Sequence, residues 1–241
     1  MKRRNPIRTG PAESIYQRHL RQIARHCGVI LPKVPGILSM AYAAAVEDLM
    51  RRYADLLTDW AVGAGDRMLQ DINRRTAKHW EALSREMGAE LRREIRTAPT
   101  GDIMRQLLAD QVRLITSIPL DAAQRVHDLC LEGIADGTRY NEIADEILRT
   151  GEVAESRAVL IARTETSRAT TVLTQARAKH IGSDSYIWRT ANDGTVRPDH
   201  RVLANRVFRW DDPPVADHHS GARAHPGAIY NCRCWPEPIL D

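Results

Sequence analysis

From Ile37 to about Ala98 the sequence has no proline, and its apolar residues return every three or four positions: Ala41, Ala45, Leu49, Tyr53, Leu56, Leu57 and Trp60, then Met68, Leu69, Ile72, Trp80, Leu83, Met87 and Leu91. That period belongs to helices with one apolar stripe, so the stretch is committed to one or two long helices. Gly63 and Gly65 predict a break between two antiparallel helices, because each glycine costs roughly 1 kcal/mol of helix stability relative to alanine. Phe208 is the single phenylalanine, so a helical core has to be built from Leu, Ile, Val and Ala.

The segments around this stretch are less regular. Residues 1–12, broken by Pro6, Gly10 and Pro11, read as flexible or ordered only by a partner. Ile15, His19, Ile23 and Ala24 predict a short basic helix ending by Gly28, and the prolines of Leu31-Pro32-Lys33-Val34-Pro35-Gly36 make a linker. Residues 1–35 hold eight Lys and Arg against Glu13 alone, so they carry +7 and the remainder −3 of the total +4. The basic character thus sits in an arm. Arg3, Arg4, Arg8, Arg18, Arg21 and Arg25 are candidates to meet DNA or an acidic protein ring, with a solvated tail as the plainer alternative.

Further along, Pro99-Thr100-Gly101 interrupts the pattern and Ile103 to Ile115 restores it. Pro119 predicts the first turn of a helix reaching Ala135, where its missing donor costs nothing. Another helix starts in Thr138-Arg139-Tyr140-Asn141-Glu142 and ends near Gly151. Cys130, among Val126, Leu129 and Ile134, reads as a small core residue. A helix from about Glu155 to His180 carries the stripe Ala158, Ala162, Glu165, Ala169, Val172 and Ala176. The stripe sets the Glu165 carboxylate in an apolar face, where it needs a cation or donors. Arg168, or a group from the C-terminal segment, is the candidate partner; the alternative is a side chain at the stripe edge that snorkels to water.

After Gly182 the rhythm changes. Tyr186-Ile187-Trp188-Arg189 and Arg206 to Trp210 predict strands, and Ala228 to Cys232 a third. Asn192-Asp193-Gly194 is a turn whose glycine permits positive φ, Pro198 opens a short helix bearing His200, Leu203 and Ala204, and Asn205 ends it left-handed. The fold class is α+β: long N-terminal helices, then a small C-terminal α/β module with a short, mostly antiparallel sheet. The organisation read from it is a basic arm over 1–36, a helical domain over 37–152 and the module over 153–241.

The chemistry concentrates in the module. Cys232 and Cys234 flank Arg233, and His200, His218, His219 and His225 precede them. Zinc takes four N or S ligands, and His200, His225, Cys232 and Cys234 form a candidate set. Cys-x-Cys is tighter than the usual structural zinc spacing, so a pair of packed or redox-labile thiols is the plainer explanation of the cysteines. Arg163, Glu165, Arg168, Asp193, Arg197 and His200 are read as a structural polar network in which Glu165 ties its helix to the Arg197 and His200 loop. His200 with Asp199 or Glu165 would also suit acid–base phosphodiester chemistry, as in a metal-dependent nuclease, but nothing fixes that geometry. Walker, dinucleotide and nucleophile-elbow patterns are absent, so no enzymatic activity is assigned. No apolar run reaches the roughly 20 residues of a membrane span, and Met1-Lys2-Arg3-Arg4 lacks the apolar block of a signal peptide. A soluble protein made in the cytosol, with reduced thiols, is the expectation.

One ordered series of short motifs is more specific than any of these. Ile161-Ala162-Arg163-Thr164-Glu165-Thr166-Ser167-Arg168, Trp188-Arg189-Thr190 with Asp193, Arg197-x-x-His200-x-x-Leu203, Phe208, Asp212-Pro213-Pro214, Pro226-Gly227 and Asn231-Cys232-Arg233-Cys234 resemble the C-terminal domain of the phage Mu F-like minor head proteins. Leu114 to Pro119 and Gly137 to Ala144 resemble that family's helical lead-in, so the likeness covers about residues 110 to 238. Asn205 stands where the family tends to glycine. The resemblance implies a head morphogenesis protein of a tailed phage, assembled in the bacterial host cytoplasm and carried in few copies in the virion, at the portal vertex or head interior. Portal protein, major capsid or scaffold protein, and phage DNA are the implied partners, with a role in DNA packaging or ejection in some members; a DNA-binding accessory virion factor is the alternative. The family's domain also occurs fused to toxin domains, and this sequence, reaching Asp241 just after Cys234, predicts none here.

Overall fold

The structure is a computed structural model that describes residues 5–35, 39–84, 97–135 and 140–240. Expectations that rest on Arg3, Arg4, Met87, Leu91 or residues 137–139 lie outside them. Helices α1 (Gly10–Ile30), α2 (Met40–Leu56), α3 (Thr58–Ser84), α4 (Thr100–Ala135), α5 (Tyr140–Leu148) and α6 (Thr150–His180) come first. Strands β1 (Ser185–Arg189), β2 (Val207–Arg209), β3 (Val215–Asp217), β4 (Ala222–Arg223) and β5 (Trp235–Pro238) follow, with helix α7 (Pro198–Leu203) between β1 and β2. The class is α+β, as the periodicities predict. The chain packs as two compact units, one of Ile15–Gly65 and Ala109–Ala162, the other of Met1–Ser14, Asp66–Leu108 and Arg163–Asp241.

The first unit is helical. Its α1 segment buries Tyr16, Leu20, Ile23, Ala24 and Cys27, while Ile15, counted inward from sequence, is 52% exposed. The buried Tyr16 hydroxyl donates to Gln111 Oε1 at 2.8 Å, which fixes the phase of the stripe. The helix does not stop at Gly28 but runs to Ile30. Gly28 lies against Gly151, where a Cβ on either residue would come within 3.2 or 3.1 Å of the other's Cα, so glycine here permits close backbone approach rather than ending a helix. Helix α2 begins on Ser39, whose Oγ accepts from the Tyr42 amide, and buries Tyr42, Ala43, Val46, Met50 and Ala54. The expected set, Ala41, Ala45, Leu49, Tyr53 and Leu56, is thus one residue out of phase, and Leu56 is largely exposed.

Two predicted breaks are corrected. Leu57, itself in the right-handed helical region with its amide on the Tyr53 carbonyl, is the single residue between α2 and α3, and α3 passes uninterrupted through Gly63 and Gly65. Burial of Ala61 and Ala64 beside them outweighs a glycine penalty of roughly 1 kcal/mol each. Likewise Pro119 does not open a helix but lies inside α4. It removes one helical donor, yet Ile115, Ile118, Ala122 and Ala123 around it are buried and hold the helix together. Cys130 is fully buried, and burial pushes its thiol pKa up, consistent with a core role.

Within this unit Glu155 receives Arg21 at 3.0 Å and Arg25 at 2.8 Å. The hydrogen bond from Arg25 leads in holding the Glu155 carboxyl below its ordinary pKa, with burial opposing and Arg21 assisting. A depressed folded-state pKa makes this stabilisation complete above the unfolded value of about 4.3 and lost as pH falls through the folded one. In urea titrations the deficit of Glu155→Gln relative to wild type is therefore expected at pH 7 and expected to shrink towards zero below about pH 4.

In the second unit β1 is the centre of a three-stranded sheet ordered β2-β1-β5, antiparallel throughout, and β3 and β4 form a separate antiparallel pair. Tyr186 and Trp188 on β1 point inward and join Trp80, Ala178, Leu203, Trp210, Ala216, Ile229, Cys232 and Cys234 in one core. Strand β2 lies within the predicted Arg206 to Trp210. The third strand does not match its expectation. Residues 228–231 form turns, with Gly227 at φ +84° and Asn231 at φ +51°, and the strand is Trp235–Pro238, paired so that Trp188 faces Pro236. Prolines 236 and 238 are tolerated because β5 is an edge strand. Residues 5–12, expected to be flexible, pack here: Ile7 and Ala12 are buried, and the Arg8 carbonyl accepts from Arg75 at 2.9 Å.

A buried cysteine and histidine cluster as the candidate functional site

Helix α7 starts on Pro198, as predicted, and turns His200 and Leu203 into the core. Asn205, at φ +65°, takes the left-handed position after it, and its amide donates to the Trp188 carbonyl at 2.8 Å, returning the chain to β1. In the loop before α7 the left-handed residue is Asn192, at φ +53°, and not Gly194. The Asp193 carboxylate instead closes that loop by accepting from the Thr195 amide at 3.1 Å and hydroxyl at 2.8 Å.

This arrangement brings His200 to both cysteines of the C-terminal segment. His200 Nδ1 lies 3.5 Å from Cys232 Sγ and 3.6 Å from Cys234 Sγ. The three ligand atoms are all within 4.8 Å of one another, on residues that are 2%, 2% and 5% exposed. His200 Nε2 lies 3.1 Å from the Ala216 carbonyl of β3, which fixes the ring and assigns its proton to Nε2, leaving the Nδ1 lone pair towards the sulfurs. Cys232 Sγ also accepts from the amides of Gly227 and Cys234, each at 3.4 Å. The hydrogen bond from Cys234 draws the Cys232 thiol well below its ordinary pKa, with burial opposing; Cys234 is pushed up by the same bond and by burial. The Trp188 ring meets the His200 ring edge-on at 5.3 Å.

The other candidate residues make their own contacts around this cluster. Glu165 is 6% exposed and meets Arg168, 3.4 Å away on the same helix. Arg197 stacks on the Tyr230 ring at 4.1 Å and donates to the Tyr230 carbonyl at 2.9 Å. Asp193 pairs with Arg233 at 2.8 Å, which helps hold its carboxyl below the ordinary pKa after the leading hydrogen bond from Thr195. Arg163 reaches Asn231 at 3.0 Å and Glu13 at 3.4 Å. Of the histidines in the candidate metal set, His225 stands elsewhere, with Nδ1 3.0 Å from the Tyr186 hydroxyl and a pKa lowered chiefly by burial. His218 pairs with Asp199 at 3.3 Å on the exposed side of the module. A cleft lined by Arg163, Arg197, Asn231 and Arg233 reaches all three members of the cluster. Arg8 and Arg18 of the arm are exposed, and Arg21 and Arg25 are engaged by Glu155.

Sequence reasoning misses three contributors. Glu13, counted only as the lone acid of a basic arm, pairs with Arg163. Thr171 donates to the Pro226 carbonyl at 2.6 Å, pinning the segment before the cysteines to α6. Gly227 packs so tightly on α6 that no side chain fits. The Pro226-Gly227 pair is visible as a motif; its contact with Thr171, 55 residues away, has no local signal.

Apart from Glu13, the side chains placed around the cluster fall inside one matched region. The family model described as Phage Mu protein F like protein matches residues 124–236. This region is Phage Mu F-like. It takes in α7, all of β1 to β4 and the cluster of His200, Cys232 and Cys234. The chain is 30% identical over 160 residues to an uncharacterized protein of Haemophilus influenzae, covering 66% of this chain and 34% of that protein. It is 23% identical over 160 residues to minor head protein GP7 of Bacillus phage SPP1, covering 60% of this chain and 52% of GP7. It is also 31% identical over 129 residues to the NAD(+)–arginine ADP-ribosyltransferase EFV of Enterococcus faecalis, covering 50% of this chain and 26% of that protein. The chain thus spans about half or less of each of these relatives. No solved structure matches it significantly.

Proposed function

We propose that this protein is a minor head protein of a tailed bacteriophage, acting in head morphogenesis in association with the portal. The observation that carries the reading is the Mu F-like match over residues 124–236, supported by the likeness to the minor head protein GP7. A structural task also suits the site. His200, the residue an acid–base mechanism would need, is 2% exposed with one ring nitrogen on a backbone carbonyl and the other on the two sulfurs. A general base has to reach a substrate proton, and this imidazole is committed inward.

In this reading the basic N-terminal segment is an attachment arm. The arm contacts the portal, a capsid or scaffold protein, or phage DNA through Arg8 and Arg18 with Arg3 and Arg4, because Arg21 and Arg25 are already paired with Glu155. The protein resides in several copies in the head interior or at the portal vertex and assists DNA packaging or ejection. Inactivating its gene in the phage is expected to leave major capsid protein synthesis intact while infectious, DNA-filled heads are lost. Normal heads and normal titres would overturn the reading. The exposed Arg8 and Arg18 favour one alternative, a DNA-binding accessory factor; salt-sensitive retardation of duplex DNA by the isolated protein, abolished by Arg8→Ala with Arg18→Ala, would select it.

A further inference from the structure

We propose that His200 Nδ1, Cys232 Sγ and Cys234 Sγ are three protein ligands of one soft divalent cation, Zn²⁺, that locks the C-terminal segment onto helix α7 and strand β1. Three independent features of the geometry point to it. The first is the donor set. Two sulfurs and one imidazole nitrogen, within 4.8 Å of one another and almost fully buried, suit tetrahedral zinc far better than hard, oxygen-seeking cations.

The second is the surrounding shell. A metal-bound histidine characteristically gives its other ring N–H to a backbone carbonyl or carboxylate, which fixes the tautomer; His200 Nε2 stands at the Ala216 carbonyl in just that role. Cys232 Sγ takes backbone N–H groups from Gly227 and Cys234, as an anionic sulfur would.

The third is the fold around the cluster. His200 is carried by α7, and the cysteines lie in the irregular segment between the Gly227 turn and β5. No regular secondary structure runs through that segment, so a metal joining it to α7 would add a direct link to the side-chain bonds that hold it to α6 and the Asp193 loop. The candidate set read from the sequence is revised accordingly: His225 is bound to Tyr186 and is no ligand, and the fourth position faces the cleft lined by Arg163, Arg197, Asn231 and Arg233. A water or an anion delivered by that cleft completes the tetrahedron.

The test uses the full chain, purified untagged from zinc-supplemented medium under reducing conditions. Elemental analysis is expected to find about one zinc per chain, and Co²⁺ exchanged into the site is expected to show thiolate charge-transfer bands and the intense visible bands of tetrahedral cobalt. Cys234→Ser and His200→Ala are expected to retain below about a tenth of that metal, and His225→Ala all of it. Should the ligand variants fold poorly, the wild-type measurements still decide. Wild-type protein that is folded, has all four of its thiols titratable and takes up neither zinc nor cobalt overturns the proposal. So does a count of two thiols, which would assign Cys232 and Cys234 to a disulfide, and so does metal lost equally from His225→Ala.

Discussion

Gly227→Ala is expected to destabilise the protein by about 3–5 kcal/mol, lowering Tm by roughly 10 °C. Two costs combine at this position. Its φ of +84° lies in the left-handed region, where an alanine is strained by about 1 kcal/mol or more. The new Cβ would also sit 2.8 Å from Thr171 Oγ1 and 2.9 Å from the Cys234 carbonyl, and the second of these is backbone that cannot rotate away. Relief requires the Cys232 to Cys234 segment to move off α6, breaking the Thr171 to Pro226 hydrogen bond. Gly221 is the internal control. It has φ +70°, and a Cβ added there would meet nothing within 4 Å, so Gly221→Ala is expected to show only the backbone strain, about 1 kcal/mol. Equal losses at the two positions by thermal denaturation would refute the packing argument.

Trp188→Ala is expected to cost about 3–5 kcal/mol, the range for emptying a large buried aromatic site. Trp188 is fully buried on the central strand and packs edge-on against both His200 and Phe208, at 5.3 and 6.2 Å. Its loss opens a cavity between the sheet and the cysteine and histidine cluster. Trp188→Phe keeps most of the apolar surface but loses the indole N–H, and is expected to cost about 1–2 kcal/mol. Chemical denaturation of the two variants gives the comparison; a Trp188→Ala loss below about 1 kcal/mol would mean that this core is not the one that holds the module.

The helices are legible in the sequence to a degree set by their side chains. Period is visible in almost any amphipathic helix, but phase is not when alanines make two faces similarly apolar. In α2 the stripe of Ala41, Ala45 and Leu49 and that of Tyr42, Val46 and Met50 both satisfy the rule, and the interior takes the second. In α6 the stripe counted at 3.5 residues drifts from a helix of 3.6: Ala158, Ala162, Glu165 and Ala169 are buried, but further on Leu173, Arg177 and Ala178 replace Val172 and Ala176. Arg177 can lie there because Asn73 accepts from it at 2.6 Å, a contact between residues 104 apart that no local pattern encodes.

Breaks are less legible than periods, since Gly63, Gly65 and Pro119 impose local costs of about 1 to 3 kcal/mol that a buried stripe can exceed. In the module, β1, β2 and α7 follow their composition, whereas β5 carries two prolines and so lacks a strand signature. The approach of Cys232 and Cys234 to a histidine is foreseeable from composition, but which histidine is not. His200 is selected by the turn of α7 and the Ala216 carbonyl, and His225 is drawn off by Tyr186.

The proposed function holds that this chain is built into a phage head. Its most direct test is quantitative mass spectrometry of purified, DNA-filled particles of the phage that encodes it. The expected result is the protein present in every preparation, at a small, fixed ratio to the major capsid protein that survives washing in high salt. Particles of full infectivity that contain none of it would contradict the claim.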